Sequence, residues 1–252
     1  MSLESNRAFY EKQWRGSWKA RFMYDPNSKR DIARYVLRKA GFQDGRRSVV
    51  DIGFGFGLIL FDMERSDKIS GVEVAKSAIM FAEKEAPRRG FERARFYQYA
   101  GEGPLPLPDE GYDLVICSHV LEHVPDDRLL LNEIRRLLRP DGLALLIIPI
   151  NEGDFRDPRH ERAYTPEGFL SVAREAELSP LVTYEGDRFW NLFGWFFERD
   201  FHNRIPVLGF LGSSAVNVFA SSIPFGVVKW IEENLLRGLR PRQFAACVKK
   251  QH

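Results

Sequence analysis

The chain has 252 residues, 44% of them hydrophobic and 29% charged, which suits one large domain with a buried core and excludes disorder, collagen-like repeats and coiled coils as its main architecture. Lysine and arginine number 37 against 35 aspartates and glutamates, a balance too flat for a dedicated nucleic-acid binder. One figure is unusual: an aromatic content of 13%, with 20 phenylalanines and 5 tryptophans.

An aromatic N-terminal segment places Phe9, Tyr10, Gln13 and Trp14 at helical spacing. It lacks the apolar stretch of a secretory signal. A helix is expected over Ser28–Ala40, with Ser28 and Asp31 as a capping-box-like start and Gly41 as the stop. Ser48–Ile52 reads as a short buried strand, Gly53–Gly57 as a glycine loop and Leu58–Arg65 as a helix. A second strand ends near Glu73, a helix spans Lys76–Arg88, and a third strand lies near Arg95–Tyr99. Tyr112–Ser118 is the fourth strand. Asp126–Leu138 is an amphipathic helix with Leu130, Ile134, Leu137 and Leu138 inward, closed by Pro140-Asp141-Gly142. Leu143–Ile148 is wholly apolar, as expected inside a parallel sheet. Thr165-Pro166-Glu167 opens another helix, Leu181–Tyr184 is a sixth strand, and Gln243–Lys249 is a last one. The alternation of helix and strand predicts an α/β fold with a largely parallel sheet.

Residues 187–242 are too many for a plain loop and must carry structure of their own. They open with the aromatic cluster Arg188–Phe197 and continue with Ile205–Val228, a run without a single charge. That run has bilayer-spanning length, but Pro206, Asn217 and Pro224 interrupt it, and the following strand must return to the same sheet. It is therefore read as a mostly helical lid or interface. It could line an apolar acceptor tunnel, touch a membrane surface peripherally through 189–228, or form a homodimer contact. Cys117 and Cys247 have no metal-type spacing and read as buried thiols of a cytoplasmic protein.

The chemistry-bearing stretch is Val49–Gly57, VVDIGFGFG, where a hydrophobic strand ends in Asp51 and opens into Gly53-x-Gly55-x-Gly57. Leu58 stands where a dinucleotide fingerprint would place its last glycine. Glu73 ends the second strand, where a carboxylate can accept from both hydroxyls of a ribose. The segments Leu105–Val115, Ser118–Val124 and Arg139–Gly142 follow.

Together, from Val49 to Ala176 with the final strand, these residues resemble the class I S-adenosylmethionine (SAM)-dependent methyltransferases, nearest the small-molecule type 11 group. The resemblance implies a Rossmann-like, doubly wound sheet of seven strands with the last antiparallel. It also implies one domain over 1–252: a helical cap at 1–45, a SAM-binding core at 46–186, the insertion at 187–242 and the final strand at 243–252. By the same resemblance, Gly53, Phe54 and Gly55 line the cofactor, with Asp51 near its ammonium group. Glu73 takes the ribose hydroxyls, Val74 packs on the adenine, and Ser118 lies at the facing strand end. Many relatives carry an aspartate after the third strand that accepts from the adenine amino group; here Gly101 falls at that place, and Glu102 is the cofactor-binding acid expected to substitute for it. N-terminal segments in the family often close over the cofactor.

The implied activity is transfer of a methyl group from SAM, leaving S-adenosylhomocysteine (SAH), to a small-molecule or lipid-linked acceptor, at a hydroxyl or carboxylate oxygen. Alternatives are N-methylation of a small molecule, a non-catalytic SAM-binding scaffold, and a nicotinamide-dependent oxidoreductase. No nucleic-acid partner is expected, since Ser118-His119-Val120-Leu121 replaces the Pro-Pro-Tyr type signature of amino-methylating enzymes. His160 and His119 are the candidate catalytic residues, because a hydroxyl acceptor must lose a proton and histidine is the natural base near neutral pH. No residue is assigned as a metal ligand. His119, Glu122 and His123 do fall at i, i+3 and i+4, so one helical turn could present all three to a divalent ion, but ordinary hydrogen bonds at a helix start are the simpler reading.

Overall fold

A computed structural model describes residues 8–11, 27–43, 45–65, 67–99, 103–152, 157–189 and 222–251, with the single residues 212, 215 and 219. Trp14, Glu102, the 190–197 part of the aromatic cluster and most of the uncharged 205–228 run lie outside the described residues.

In chain order the elements are α1 (Asn27–Lys39), β1 (Ser48–Ile52), β2 (Lys68–Glu73), α2 (Lys76–Arg88), β3 (Arg95–Gln98), β4 (Tyr112–Ser118), α3 (Asp127–Leu137), β5 (Leu138–Pro149), α4 (Pro166–Glu175), β6 (Leu178–Gly186), α5 (Phe225–Asn234) and β7 (Gln243–Lys250). The strands form one seven-stranded sheet in the order β3-β2-β1-β4-β5-β7-β6. β1 to β5 run parallel to one another, and β7 is antiparallel between β5 and β6. The expected fold class is therefore the observed one.

Apolar runs buried on both faces explain why the central strands sit in the middle. Leu114 to Cys117 and Ala144 to Ile148 are fully buried. One layer of core packs α3 and α4 against the sheet, around Leu131, Ile134, Leu137 and Phe169. The other packs α1 and α2 on the opposite face, around Ile32, Val36, Ile79 and Ala82. Truncating the fully buried Phe169 to alanine would cost about 3–5 kcal/mol.

Several expected boundaries shift. α1 begins at Asn27, which puts Ser28 inside the first turn and not at the cap. Leu58–Arg65 is not an α-helix: it holds only a 3-10 turn at Leu60–Asp62, and Met63 is already extended. Hydrogen bonds there mix spacings, from Phe61 N to Gly57 O and from Asp62 N to Ile59 O, so no regular ladder propagates. Pro140-Asp141-Gly142 does not close α3 by a turn outside the sheet. Leu138 already pairs with Tyr112 and Leu143 with Leu114, so the Pro-Asp-Gly stretch is a bulge within β5. Leu131 takes the inward place expected of Leu130, which is only partly buried and lines a cavity. The Thr165 cap is as expected: its hydroxyl accepts from Gly168 N at 3.1 Å, with Pro166 at the first helical position.

A cofactor edge and an acceptor edge around one cavity

Register brings the motif residues to one edge. Ile52 pairs with Val72 and with Cys117, so Gly53, Glu73 and Ser118 meet at the carboxyl ends of β1, β2 and β4. Ligands bind at this edge in open parallel sheets, where the strand order reverses. A cavity of about 880 Å³ opens there, lined by Asp51, Gly53, Phe54, Gly55, Glu73, Val74, Ser118, His119 and His160 among others. Nine of the ten expected site residues thus line a single cavity; the tenth, Glu102, is outside the described residues.

The cofactor edge is built mainly from backbone. Gly53 has φ +71°, and a Cβ on it would stand 2.4 Å from Val120 Cγ2. Any side chain there is therefore strained and blocked at once. Glu73, only 6% exposed, is held by three amides: Gly55 N at 3.1 Å, Val74 N at 2.7 Å and Ala75 N at 3.2 Å. Burial raises its pKa, and those amides counter part of the rise. An ionised carboxylate offers about four acceptor positions, so one remains toward the cavity. This acid, the glycine loop and the apolar wall of Val74, Leu105 and Leu130 fit the amino-acid, ribose and adenine portions of SAM. Phe54 contributes less directly: its ring packs on Phe96 and over Gly71.

The N-terminal turn at residues 8–11 lies across this edge. Its Glu11 carboxylate accepts from Lys76 N at 2.5 Å and Ser77 N at 3.3 Å, capping α2, whose own cap residue Ala75 has no side-chain acceptor. Tyr10 lines the cavity and meets the His123 ring edge-on at 5.9 Å, while the Arg159 guanidinium lies 3.6 Å over the Phe9 ring.

The acceptor edge is built from side chains. His119 follows β4 with φ +56°, a conformation that costs a non-glycine residue about 1–2 kcal/mol. Its Nδ1 lies 3.3 Å from Glu122 Oε1. Residues 121–123 form a turn, not the helical turn considered from spacing. His123 and His160 stack edge-to-face at 4.6 Å. His160 Nδ1 lies 2.6 Å from Glu152 Oε1, and His123 Nδ1 lies 3.4 Å from the Arg159 carbonyl. Burial lowers the pKa of His119 and His123. Burial acts the same way on His160, but Glu152 outweighs it and raises that ring.

Two clamps bring the 157–164 segment to the 119–125 turn. Glu161 N donates to Glu122 O at 2.8 Å. Arg162 donates to the carbonyls of Leu121, Val124 and Pro125 at 2.7, 2.6 and 2.6 Å. Sequence reasoning missed Glu152, Asp157, Arg159 and Arg162. The only signal was the charge density of Arg159-His160-Glu161-Arg162, which does not say where each side chain points.

Known proteins agree with this fold. Residues 50–146 match the family described as a methyltransferase domain. The chain is 30% identical over 158 residues to YcgJ of Bacillus subtilis, an uncharacterized methyltransferase, covering 57% of this chain and 60% of that one. It is 34% identical over 113 residues to a ubiquinone biosynthesis O-methyltransferase of Aeromonas salmonicida, covering 44% and 47%. The chain thus spans roughly half the length of the curated relatives it matches. Among solved structures, the geranyl diphosphate C-methyltransferase of Streptomyces coelicolor, in complex with SAH among other ligands, superimposes with a TM-score of 0.57 at 16% identity, over 88% of this chain and 76% of that one. With the strand order, the glycine loop and the buried strand-end acid, the match identifies residues 50–146 as a type 11 domain of the class I SAM-dependent methyltransferase superfamily.

Proposed function

We propose that the protein transfers the methyl group of SAM to an oxygen atom of a small-molecule or lipid-linked acceptor. The observation that carries this reading is the shared cavity: the glycine loop and Glu73 line one side, and His119, His123 and His160 line the other. A histidine-rich wall is needed for a hydroxyl, which must lose a proton, more than for a neutral amine, which already carries a lone pair.

Bound SAM would supply a sulfonium methyl as the electrophile. The protein's part is to hold, orient and deprotonate. Glu73 and the Gly53–Gly57 loop hold the donor side. His119 receives the acceptor proton. Its Nε2 is buried without a partner among the described residues, Glu122 sits at its Nδ1, and burial keeps the ring in the neutral, basic form. His160, fixed through Nδ1 by Glu152, contacts the acceptor oxygen. Tyr10 and the 8–11 turn narrow the mouth and exclude water. The exposed apolar side chains Val227, near the end of the uncharged run, and Trp230 and Leu235, just beyond it, suit delivery of an apolar acceptor. Among the described residues no helix is long and apolar enough to cross a membrane.

The test is calorimetric binding of SAH followed by transfer of labelled methyl to paired phenol and aniline acceptors. Micromolar SAH binding with product only on the phenol series supports the reading. Transfer confined to the amines would overturn it. His119→Asn should keep SAH affinity and lower kcat by about 100-fold or more.

A further inference from the structure

From the outer face of α5 and the cations around it we infer that this side of the molecule docks on the surface of an anionic lipid membrane. A surface helix ordinarily buries its apolar side chains and shows its charged ones. α5 departs from that rule. Its one fully buried residue is an acid: Glu232 is 3% exposed and accepts from Phe189 N at 2.9 Å and from Tyr184 OH at 3.4 Å. Trp230 is 57% exposed, and Val227, three residues earlier and so on the same stripe, is exposed with it. Leu235 adds a third exposed apolar side chain just past the helix end. The helix is held firmly from below, where the Phe225 ring meets Tyr35 at 5.6 Å and Tyr184 at 6.1 Å. The outward tryptophan is therefore fixed by the fold. Scattered apolar residues on a surface need no explanation, but a group of them does. Of the eight large apolar side chains exposed among the described residues, four fall between residues 219 and 235.

The charges near this face select the partner. Residues 27–39 and 225–242 together hold nine lysines and arginines against three acids, an excess of six in a chain whose net charge is only +2. One of those acids is the buried Glu232. Lys39 of α1 and Lys229 of α5 both stand over the Tyr35 ring, at 5.9 and 5.4 Å, so the end of α1 borders the start of α5. Arg38 beside Lys39 is exposed, as are Arg237 and Arg240 beyond the other end of α5. Cations thus flank the apolar stripe at both ends. A second copy seated there on a twofold axis would bring the same cations face to face. A layer of anionic headgroups neutralises them, and tryptophan is suited to the boundary between headgroups and acyl chains. The ten residues of α5 span about 15 Å, half the roughly 30 Å of a hydrocarbon core, so the helix lies in the interface and does not cross it.

The face is also near the cavity. Asp187 neighbours both Ser28 of α1 and Glu232 of α5, and Lys29, next to Ser28, lines the cavity. Docking through α5 would set the cavity beside the membrane surface. A lipid-linked acceptor, a use that rests on the function proposed above, would then reach it from the interface.

The deciding experiment floats full-length protein with vesicles of phosphatidylcholine, either alone or with about one-third phosphatidylglycerol. Expected are binding to the anionic vesicles, binding weaker by about tenfold or more to the neutral ones, release by high salt, and a blue shift of tryptophan emission on binding. Trp230→Ser should weaken binding by about 10–100-fold and remove most of the blue shift. Arg38→Gln combined with Arg237→Gln should weaken it by about 10–30-fold. Met80→Ser, which removes a similarly exposed apolar side chain from α2, should leave it unchanged. SAH affinity and Tm, measured on every variant, should not move and so report folding separately. No binding to anionic vesicles, equal binding to neutral ones, or binding indifferent to Trp230→Ser overturns the proposal. A dimer that Trp230→Ser dissociates, without vesicle binding by the parent, overturns it in favour of a second copy. Vesicle binding by a protein that methylates no oxygen acceptor leaves the docking face standing and removes only its proposed use.

Discussion

The two edges of the cavity are made in different ways. The cofactor edge is local and mostly main chain: residues 49–57 and 71–75 supply the loop, the acid and the amides that hold it. The acceptor edge is non-local and made of side chains, with His119 to His123 held against residues 157–162 by Arg162 and Glu161. Main-chain shape at the first edge admits few side chains. Composition at the second edge can change as long as the clamps remain. One scaffold can thus keep a cofactor while its acceptor chemistry diverges.

Substitutions can break either side of that contrast. The largest effect is expected at Gly53→Ala, where a left-handed backbone and a 2.4 Å approach to Val120 act together; SAH affinity should fall about a hundredfold by calorimetry. Next comes Arg162→Met. Loss of three carbonyl bonds should cost about 3 kcal/mol and lower Tm by about 6–12 °C, with kcat reduced and SAH affinity within about twofold of the parent. An equal loss of SAH affinity would mean the edges are not separable. Glu73→Gln should weaken SAH by about tenfold or more and also lower Tm by about 2–10 °C, because its NH2 group would face one of the three amides that the carboxylate now accepts from.

The smallest effect lies outside both edges. Asp187, after β6, is driven by burial and by nearby Glu232 to a pKa of about 6, against an ordinary 3.8. A raised carboxyl favours the folded state while protonated, so its contribution is fully present below about pH 3.8 and is lost as pH rises through about 6. Asp187→Asn should flatten stability across that window and gain about 1 kcal/mol at pH 8, as read by urea unfolding.

The same contrast explains what the sequence could reveal. VVDIGFGFG and Glu73 were legible because strand, loop and acid are contiguous and their spacing mirrors backbone geometry. The strand cores of β1, β2 and β4 were legible from apolar runs. His119 and His160 could be nominated by residue type, but Glu152 and Arg162 could not, since their roles depend on which loops the sheet brings together. The Pro140–Gly142 stretch was misread for a related reason: Pro-Asp-Gly signals a turn locally, whereas Leu138 is already captured by Tyr112 of a neighbouring strand. The helix expected after the glycine loop failed because Phe61 fills the space beside Gly57 and the hydrogen bonds do not settle on one spacing.

The antiparallel strand β7 has a consequence for how the molecule assembles. β6 touches the sheet only through β7, which arrives after the whole 187–242 segment. The β3-β2-β1-β4 half, with the glycine loop and Glu73, needs only residues 48–118 to pair. The cofactor half can therefore form early from short-range contacts. The far half waits for a long loop to close, a cost that grows only with the logarithm of loop length. Lengthening or replacing 187–242 should accordingly slow completion of the sheet far more than it lowers final stability, which leaves that segment free to vary with the acceptor.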